Sequence, residues 1–386
     1  MGRKSRQHRL AGGVTAVALA ALAVFVGVPA AQASGSAAPA VTTSFSVPGE
    51  LNAVAATSPT DVWAVGDVPN PNQSKPHTLL IVHWNGVRWT RVTVPHYRYG
   101  QLFGVAVVSK DDAWAVGANE FGFPWAPFDA LVLHWNGSTW RPVQSLLKFP
   151  GVPEAVTATA KGVWVAVGAD TDELLHYAGG RWTVVPVAKP ATGTIPIALA
   201  LTGSNAGWFG GAIMQPVGSA FTAAYILRWN GKAWQRFRLP ISAPDSEVDA
   251  IAVLPGGGAL AVGLQEIDPY NIDTWVPLTL RWDGKAWRQV SAFIPGAMEL
   301  YGVAVIPGGT AWAVGIGTTA GVVIARWTGT TWRSVPANPA DTAADQLYAV
   351  TATSATDAWA VGAINPQPGN IMPVTVIMHW NGKTWQ

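Results

Sequence analysis

The sequence predicts an all-β chain folded as a single seven-bladed β-propeller of four-stranded antiparallel blades, closed by an N-terminal strand. Three observations predict it. A hairpin phrase, LVLHWNGSTWRPV at Leu131–Val143, returns in seven copies. The second Trp of each copy falls at Trp89, Trp140, Trp182, Trp234, Trp287, Trp332 and Trp385 (Trp385 being next to last in the chain), so the spacings are 51, 42, 52, 53, 45 and 53 residues. A period of roughly 40–50 residues made of strands alone is that of a propeller blade. Runs of strand length separated by turn signals fill each period, and no segment has helical periodicity long enough to compete.

The N-terminus stands outside this repeat. Arg3, Lys4, Arg6 and Arg9 form a positive region, Leu10 to Ala30 is apolar, and Ala31-Gln32-Ala33 is a small-x-small cleavage site. This reads as a secretory signal peptide over 1–33, cleaved after Ala33. A short linker (34–41) and the propeller (42–386) follow, and the location is expected to be extracellular. An uncleaved membrane anchor is the alternative, because the apolar run is nearly long enough to span. Removing the signal peptide takes four of the 24 basic residues and none of the 22 acidic ones, leaving 20 − 22 = −2. That balance gives no reason to expect nucleic acid, or a membrane after cleavage, as partner. A monomer is expected. With no Cys in the chain, stability must come from the core and not from disulfides.

Each copy reads as four strands. The first is small and alternating, as in LNAVAAT at Leu51 or LYGVAVI at Leu300. The second is VWAVG at Val62 and AWAVG at Ala113, Ala311 and Ala358, with weaker forms at Gly207 and Ala259. The third and fourth are the arms of the hairpin. Where blades converge on the axis space is least, and the Ala/Gly/Val-rich first strands suit that place. Asn-Gly supplies the positive φ that a tight hairpin turn needs. The last copy stops at Trp385-Gln386, so Thr42–Val47 is expected to add the missing outer strand and close the ring.

The Gly closing VWAVG, the Trp some twenty residues later, and the Pro ending VTVP or FRLP resemble kelch repeats of galactose-oxidase-like propellers. The resemblance covers about Thr42–Gln386 and implies the propeller fold. The kelch double glycine stands in place only at Gly210-Gly211. Copper chemistry of the galactose-oxidase kind is counter-indicated, because its modified tyrosine requires a Cys.

Turn lengths separate the two faces. Turns from first to second strand (Ser58–Asp61, Ser109–Asp112) and the hairpin turns are short and alike. Connections from second to third strand, and between blades, are long and unlike one another: Asp67–His77, Ala118–Asp129, Leu264–Val276, Pro95–Gln101. Diversity over a uniform scaffold marks a binding face. Of 21 Trp, 19 occupy repeat positions and read as packing between blades. Trp125 and Trp275 remain, in long connections, with Phe123, Tyr270, Tyr97 and Tyr99 nearby. These six are the candidate ligand-binding residues, since exposed rings suit stacking on sugars or anchoring a protein. The alternative is that they plug the loop bases.

Catalytic and metal signals are weak. His83, His134, His176 and His379 share a slot that holds Arg228, Arg281 and Arg326 in other copies, so the slot wants a cation or donor. No cofactor and no metal site is expected. The function read from the sequence is a secreted, non-catalytic module recognising a glycan, a cell-wall polymer or an extracellular protein. A glycoside hydrolase or lyase is the rival. It would need paired carboxylates among Glu120, Asp129, Glu247, Asp249, Glu266 and Asp273, which no spacing pairs.

Overall fold

The computed structural model of the 386-residue chain describes residues 45–72, 76–94, 99–119, 129–143, 151–168, 173–187, 194–201, 206–214, 222–243, 245–268, 274–318, 321–337, 345–364 and 372–386. Residues 41–386 form one compact unit. Blade 1 is β1 (Glu50–Ser58), β2 (Asp61–Val68), β3 (Thr78–Trp84) and β4 (Trp89–Arg91). Blade 2 is β5 (Gln101–Ser109), β6 (Asp112–Asn119), β7 (Asp129–Trp135) and β8 (Trp140–Pro142). Blade 3 is β9 (Val152–Thr159), β10 (Gly162–Gly168), β11 (Glu173–Ala178) and β12 (Arg181–Val185). Blade 4 is β13 (Thr194–Leu201), β14 (Gly207–Met214), β15 (Thr222–Trp229) and β16 (Trp234–Phe237). Blade 5 is β17 (Asp245–Val253), β18 (Ala259–Glu266), β19 (Trp275–Trp282) and β20 (Trp287–Gln289). The short β21 (Ala292–Phe293) leads into blade 6, which is β22 (Ala297–Val305), β23 (Ala311–Gly317), β24 (Val322–Trp327) and β25 (Trp332–Ser334). Blade 7 is β26 (Asp345–Ser354), β27 (Asp357–Ile364) and β28 (Val374–Trp380).

Within each blade the strands pair antiparallel in chain order, and β21 adds in parallel to β25. The first strands β1, β5, β9, β13, β17, β22 and β26 touch in a closed cycle, so they line the axis as their small residues require. The outer strand of blade 7 is composite. Trp385-Gln386 pairs back on Trp380 and His379 at one end of β28. Val47–Gly49 pairs with Pro373–Thr375 at the other: Thr375 N–H donates to Val47 O at 2.9 Å, and Gly49 N–H to Pro373 O at 2.8 Å. Phe45 and Val47 pack on the cluster that holds Trp84 and Trp359. The last blade is therefore sealed from both sides: Phe45 and Val47 belong to the Thr42–Val47 segment read from the sequence, the pairing continues to Gly49, and residues 42–44 lie outside the described residues.

The core is divided among the seams between blades. At most seams a second-strand Trp wedges against the third- and fourth-strand aromatics of the next blade. Trp63 meets Trp140 edge-on at 5.2 Å, Trp114 meets Trp182 at 6.1 Å, Trp208 meets Trp287 at 4.9 Å and Trp312 meets Trp385 at 5.1 Å. The ring closes on the same contact, Trp359 against Trp89 at 5.3 Å. Edge-to-face pairs are favoured by the ring quadrupoles beyond the area they bury. Blade 5 carries Leu260 in the wedge position, packed with Trp327 and Trp332.

The Gly that closes VWAVG has a steric cause. In every blade but the third, the first strand carries a bulge opposite it, for example between Leu51 and Ala53 and between Leu300 and Gly302. The bulge presses a backbone carbonyl onto the Gly: a Cβ at Gly66, Gly117, Gly263, Gly315 or Gly362 would overlap the oxygen of Glu50, Gln101, Glu247, Glu299 or Gln346. Only glycine allows that approach.

The Asn-Gly hairpin turns are wider than a two-residue turn, whereas blade 3, with Ala178 paired to Arg181, turns on Gly179-Gly180 alone. Trp84 pairs with Trp89 and Trp135 with Trp140, so four residues form the loop. Only the Gly has positive φ (Gly86, +88°; Gly137, +88°). Asn acts instead as a cap: Asn136 Oδ1 accepts the N–H groups of Ser138 and Thr139 at 3.1 and 3.0 Å. In blade 5 Asp283 takes this role. The backbone N–H groups of Ala286 and Lys285, then Arg288, hold its carboxyl well below the usual carboxylate range. A lowered folded-state pKa stabilises at pH values above the unfolded value, about 3.9, and the stabilisation fades as pH falls through the folded one. Asp283→Asn, which keeps the cap without the charge, is expected to lower Tm at pH 7 and to lose that difference progressively below pH 4. Thermal unfolding at several pH values checks this.

Candidate functional site

The long connections 69–77, 120–128, 267–274 and 365–373 leave the ends of second strands, and the two-residue turns 59–60, 110–111 and 355–356 lie at the opposite ends. The two faces of the ring thus differ as the sequence predicts. Of the six candidate aromatic residues, Trp125, Phe123, Tyr270 and Tyr97 lie outside the described residues. Tyr99 is 39 % exposed and forms an antiparallel bridge with Thr78, on the connection from blade 1 to blade 2. Trp275 is not in a loop: it opens β19 opposite Glu266 and is half-buried. Strand pairing runs to that position because β18 continues as far as Glu266. Tyr99 and Trp275 belong to non-adjacent blades, so the structure does not bring them together.

What the structure does bring together is polar groups at the bulges of five of the seven first strands, Phe103 and Ile197 taking that place in blades 2 and 4. The bulged residues include Asn52, Glu154, Asp249, Tyr301 and Tyr348, one per blade and all buried. Between blades 1 and 2, Asn52 Nδ2 donates to Leu102 O at 3.0 Å and to Asp67 Oδ1 at 3.2 Å. Asp67 Oδ2 lies 2.7 Å from His77 Nδ1, and the Gln101 side chain lies 2.8 Å from the same nitrogen. Asp67 is 7 % exposed and His77 29 %, so a buried carboxylate orients a partly accessible imidazole at the base of a long connection. Between blades 4 and 5, Asp245 Oδ1 accepts from Thr222 N–H and Oγ1 at 2.8 and 2.7 Å, satisfying the free edge of β15.

Between blades 5 and 6, Glu247, Asp249 and Glu299 each place a carboxylate oxygen within 4.8 Å of the other two. Their exposures are 1, 3 and 4 %. Three buried carboxylates this close resist joint ionisation. Oxygen donors of this kind could hold a hard divalent cation, which would neutralise them. The sequence reading named Glu247, Asp249 and Glu266 without pairing them. Glu299 was missed, although Glu or Gln directly before the first-strand Leu recurs at Glu50, Gln101, Glu299 and Gln346.

The repeated His slot is structural and lies on the opposite face. His83 stacks on Trp63 at 4.1 Å, and its Nε2 lies 2.8 Å from Asp61 Oδ1. His134–Asp112 and His379–Asp357 repeat this. Arg228 occupies the slot in blade 4, 5.4 Å above the Trp208 ring. His176 stacks on Trp164 at 4.0 Å, and burial lowers its pKa.

No protein-family model matches the chain, and no characterised protein matches it in sequence. Solved structures share the fold. YCF48 bound to a D1 peptide is 15 % identical over 86 % of this chain and 94 % of that one, with a TM-score of 0.50. The WD40 β-propeller domain of Doa1 is 14 % identical over 85 % and 93 %, with a TM-score of 0.54. The β-propeller domain of the Trilobed protease from Pyrococcus furiosus, which has an open velcro topology, is 9 % identical over 89 % and 96 %, with a TM-score of 0.51. At these identities the likeness shows a seven-bladed propeller and nothing finer.

Proposed function

We propose that the chain is an exported, non-catalytic recognition module whose loop-rich face binds a glycan or cell-wall polymer. The carrying observation is the contrast between the short turns on one face, two residues from first to second strand in blades 1, 2, 3 and 7 and five in blades 5 and 6, and the long, dissimilar connections that leave the second strands of blades 1, 2, 4, 5 and 7 on the other. Tyr99, exposed at the base of one connection, and Trp275, half-buried at the base of another, supply rings at that face. A protein partner is the second reading. YCF48, which shares the fold, is seen bound to a peptide.

The rival reading, a glycoside hydrolase, needs two carboxylates that reach a sugar, separated by about 5–5.5 Å or about 6.5–9.5 Å. Glu247, Asp249 and Glu299 gather three carboxylates, but at 1, 3 and 4 % exposure they are closed to a sugar. Passing the protein over insoluble cell-wall glycan tests the choice. The expected result is retention of the protein with no release of soluble sugar. Release of reducing ends would replace recognition with hydrolysis. Export is tested by the mass of the mature product, which is expected to begin at Ser34.

A further inference from the structure

Net charge conceals how the charges are placed. Of the 16 Lys and Arg side chains described, 14 are exposed, all but Arg228 and Arg326. Of the described Asp and Glu side chains only Asp111 and Asp283 are exposed, and each is already paired, with Lys110 at 3.8 Å and Arg288 at 3.0 Å. The acidic residues are spent inside, at the bulges and in the His slots. The described exterior is therefore basic.

The excess has a pattern. Every outer strand from blade 1 to blade 6 carries an Arg and none carries an acid: Arg91, Arg141, Arg181, Arg236, Arg288 and Arg333. Arg91 donates to Leu79 O, and Arg288 faces Asp283. The side chains of Arg141, Arg181, Arg236 and Arg333, with that of Arg238 just beyond β16, have no hydrogen bond or ion pair among the described residues. Beside Arg236 and Arg238 runs an open groove of about 430 Å³, floored by Phe237, Leu239 and Ile241 and reaching Ser246. Unpaired guanidinium groups at fixed places on a scaffold repel one another and are relieved by a bound anion.

We propose that the rim of blades 1–6 is a docking belt for a linear polyanion, a polymer with a phosphate, sulfate or carboxylate on each repeat, anchored in the groove beside Arg236 and Arg238. Arg presents a planar fork that matches these anions bidentately. The arginines run round a circumference, so a flat membrane would meet few at once while a flexible chain can follow the curve. The arginines stand on the outer strands, while Ile241 and Ala243 of the groove belong to the connection between blades 4 and 5 on the loop-rich side; the test leaves Tyr99 and Trp275 intact.

The test measures binding of the full chain to long-chain polyphosphate, heparin and polygalacturonate across a salt series. A rim variant (R141S/R181S/R236S/R238S/R333S) is compared with a control that removes the same charge from the turns of the opposite face (K110S/K161S/K232S/K285S/K383S). The five arginines lack partners, so the rim variant should retain the wild-type Tm. The expected result is a loss of about tenfold or more in affinity for the rim variant, with a shallower salt dependence, and a loss of no more than about threefold for the control. Replacing the five arginines by Lys should fall between, because charge is kept and the fork is lost. The three probes rank phosphate, sulfate and carboxylate. Equal losses in both variants, or no loss in either, would overturn the belt. Binding only to vesicles of phosphatidylserine and phosphatidylcholine would overturn it in favour of a membrane, and single-stranded DNA bound tighter than all three polymers would overturn it in favour of nucleic acid.

Discussion

Trp312→Ala is expected to lower the free energy of unfolding by about 3–5 kcal/mol, measured by urea denaturation. Trp312 is fully buried at the seam of blades 6 and 7. It stands 4.9 Å from Trp380 and edge-on to Trp385 at 5.1 Å, with the Arg326 guanidinium over its ring at 5.5 Å. The substitution leaves a cavity between two rigid sheets that cannot collapse into it. It also loosens Trp385, one of the residues that complete the composite outer strand of blade 7. Val87→Ala in an exposed hairpin turn should stay within about 0.5 kcal/mol. A loss below about 1 kcal/mol at Trp312 would mean that the seams do not carry the stability of the ring.

Gly315→Ala should be as damaging for the opposite reason. A Cβ there overlaps the backbone oxygen of Glu299, and no rotamer relieves an overlap with Cβ itself. Overpacking commonly costs about 1–3 kcal/mol, and the upper end or more is expected where backbone meets backbone. Gly329→Ala is the control. Its φ is +100° but nothing lies within 4 Å of the added methyl, so only the backbone strain of about 1–2 kcal/mol applies. Glu299 also belongs to the carboxylate triad, so Gly315→Ala displaces one of its three members, whereas Gly329→Ala leaves the triad in place. Equal effects from the two substitutions would contradict the bulge as the reason for the repeated Gly.

Much of the architecture was legible because it is written seven times. Trp135 and Trp140 flanking Asn136-Gly137 identify a hairpin, and its period identifies a blade. Small first-strand residues locate the axis, and the truncated last copy points to closure from the N-terminal side. The local chemistry of single positions was less legible. Asn-Gly fits a two-residue turn by composition, yet the pairing of Trp135 with Trp140 leaves a four-residue loop in which Asn136 caps and only Gly137 turns left-handed. Trp275 looks like a loop residue because no repeat position claims it, and strand pairing to Glu266 overrides that.

The polar clusters were hidden for a different reason. Asp249 enters the wall between blades because a bulge adds one residue to the first strand, and an alternating pattern does not display such an insertion. Glu299 meets Glu247 and Asp249 across a blade boundary, some fifty residues along the chain. The basic exterior was concealed by the same burial. A formal balance near zero counts Glu247 and Arg236 equally, whereas the first is 1 % exposed and the second faces solvent.

The most direct measurement is an array of cell-wall glycans and peptides probed with the wild type, a Tyr99→Ala/Trp275→Ala variant, and a Lys110→Ala/Asp111→Ala variant of the opposite face. Recognition through the loop-rich face predicts binding that the aromatic variant weakens by about tenfold, a cost of about 1.4 kcal/mol, and that the opposite-face variant retains. Binding lost in the Lys110/Asp111 variant and kept in the aromatic one would contradict it.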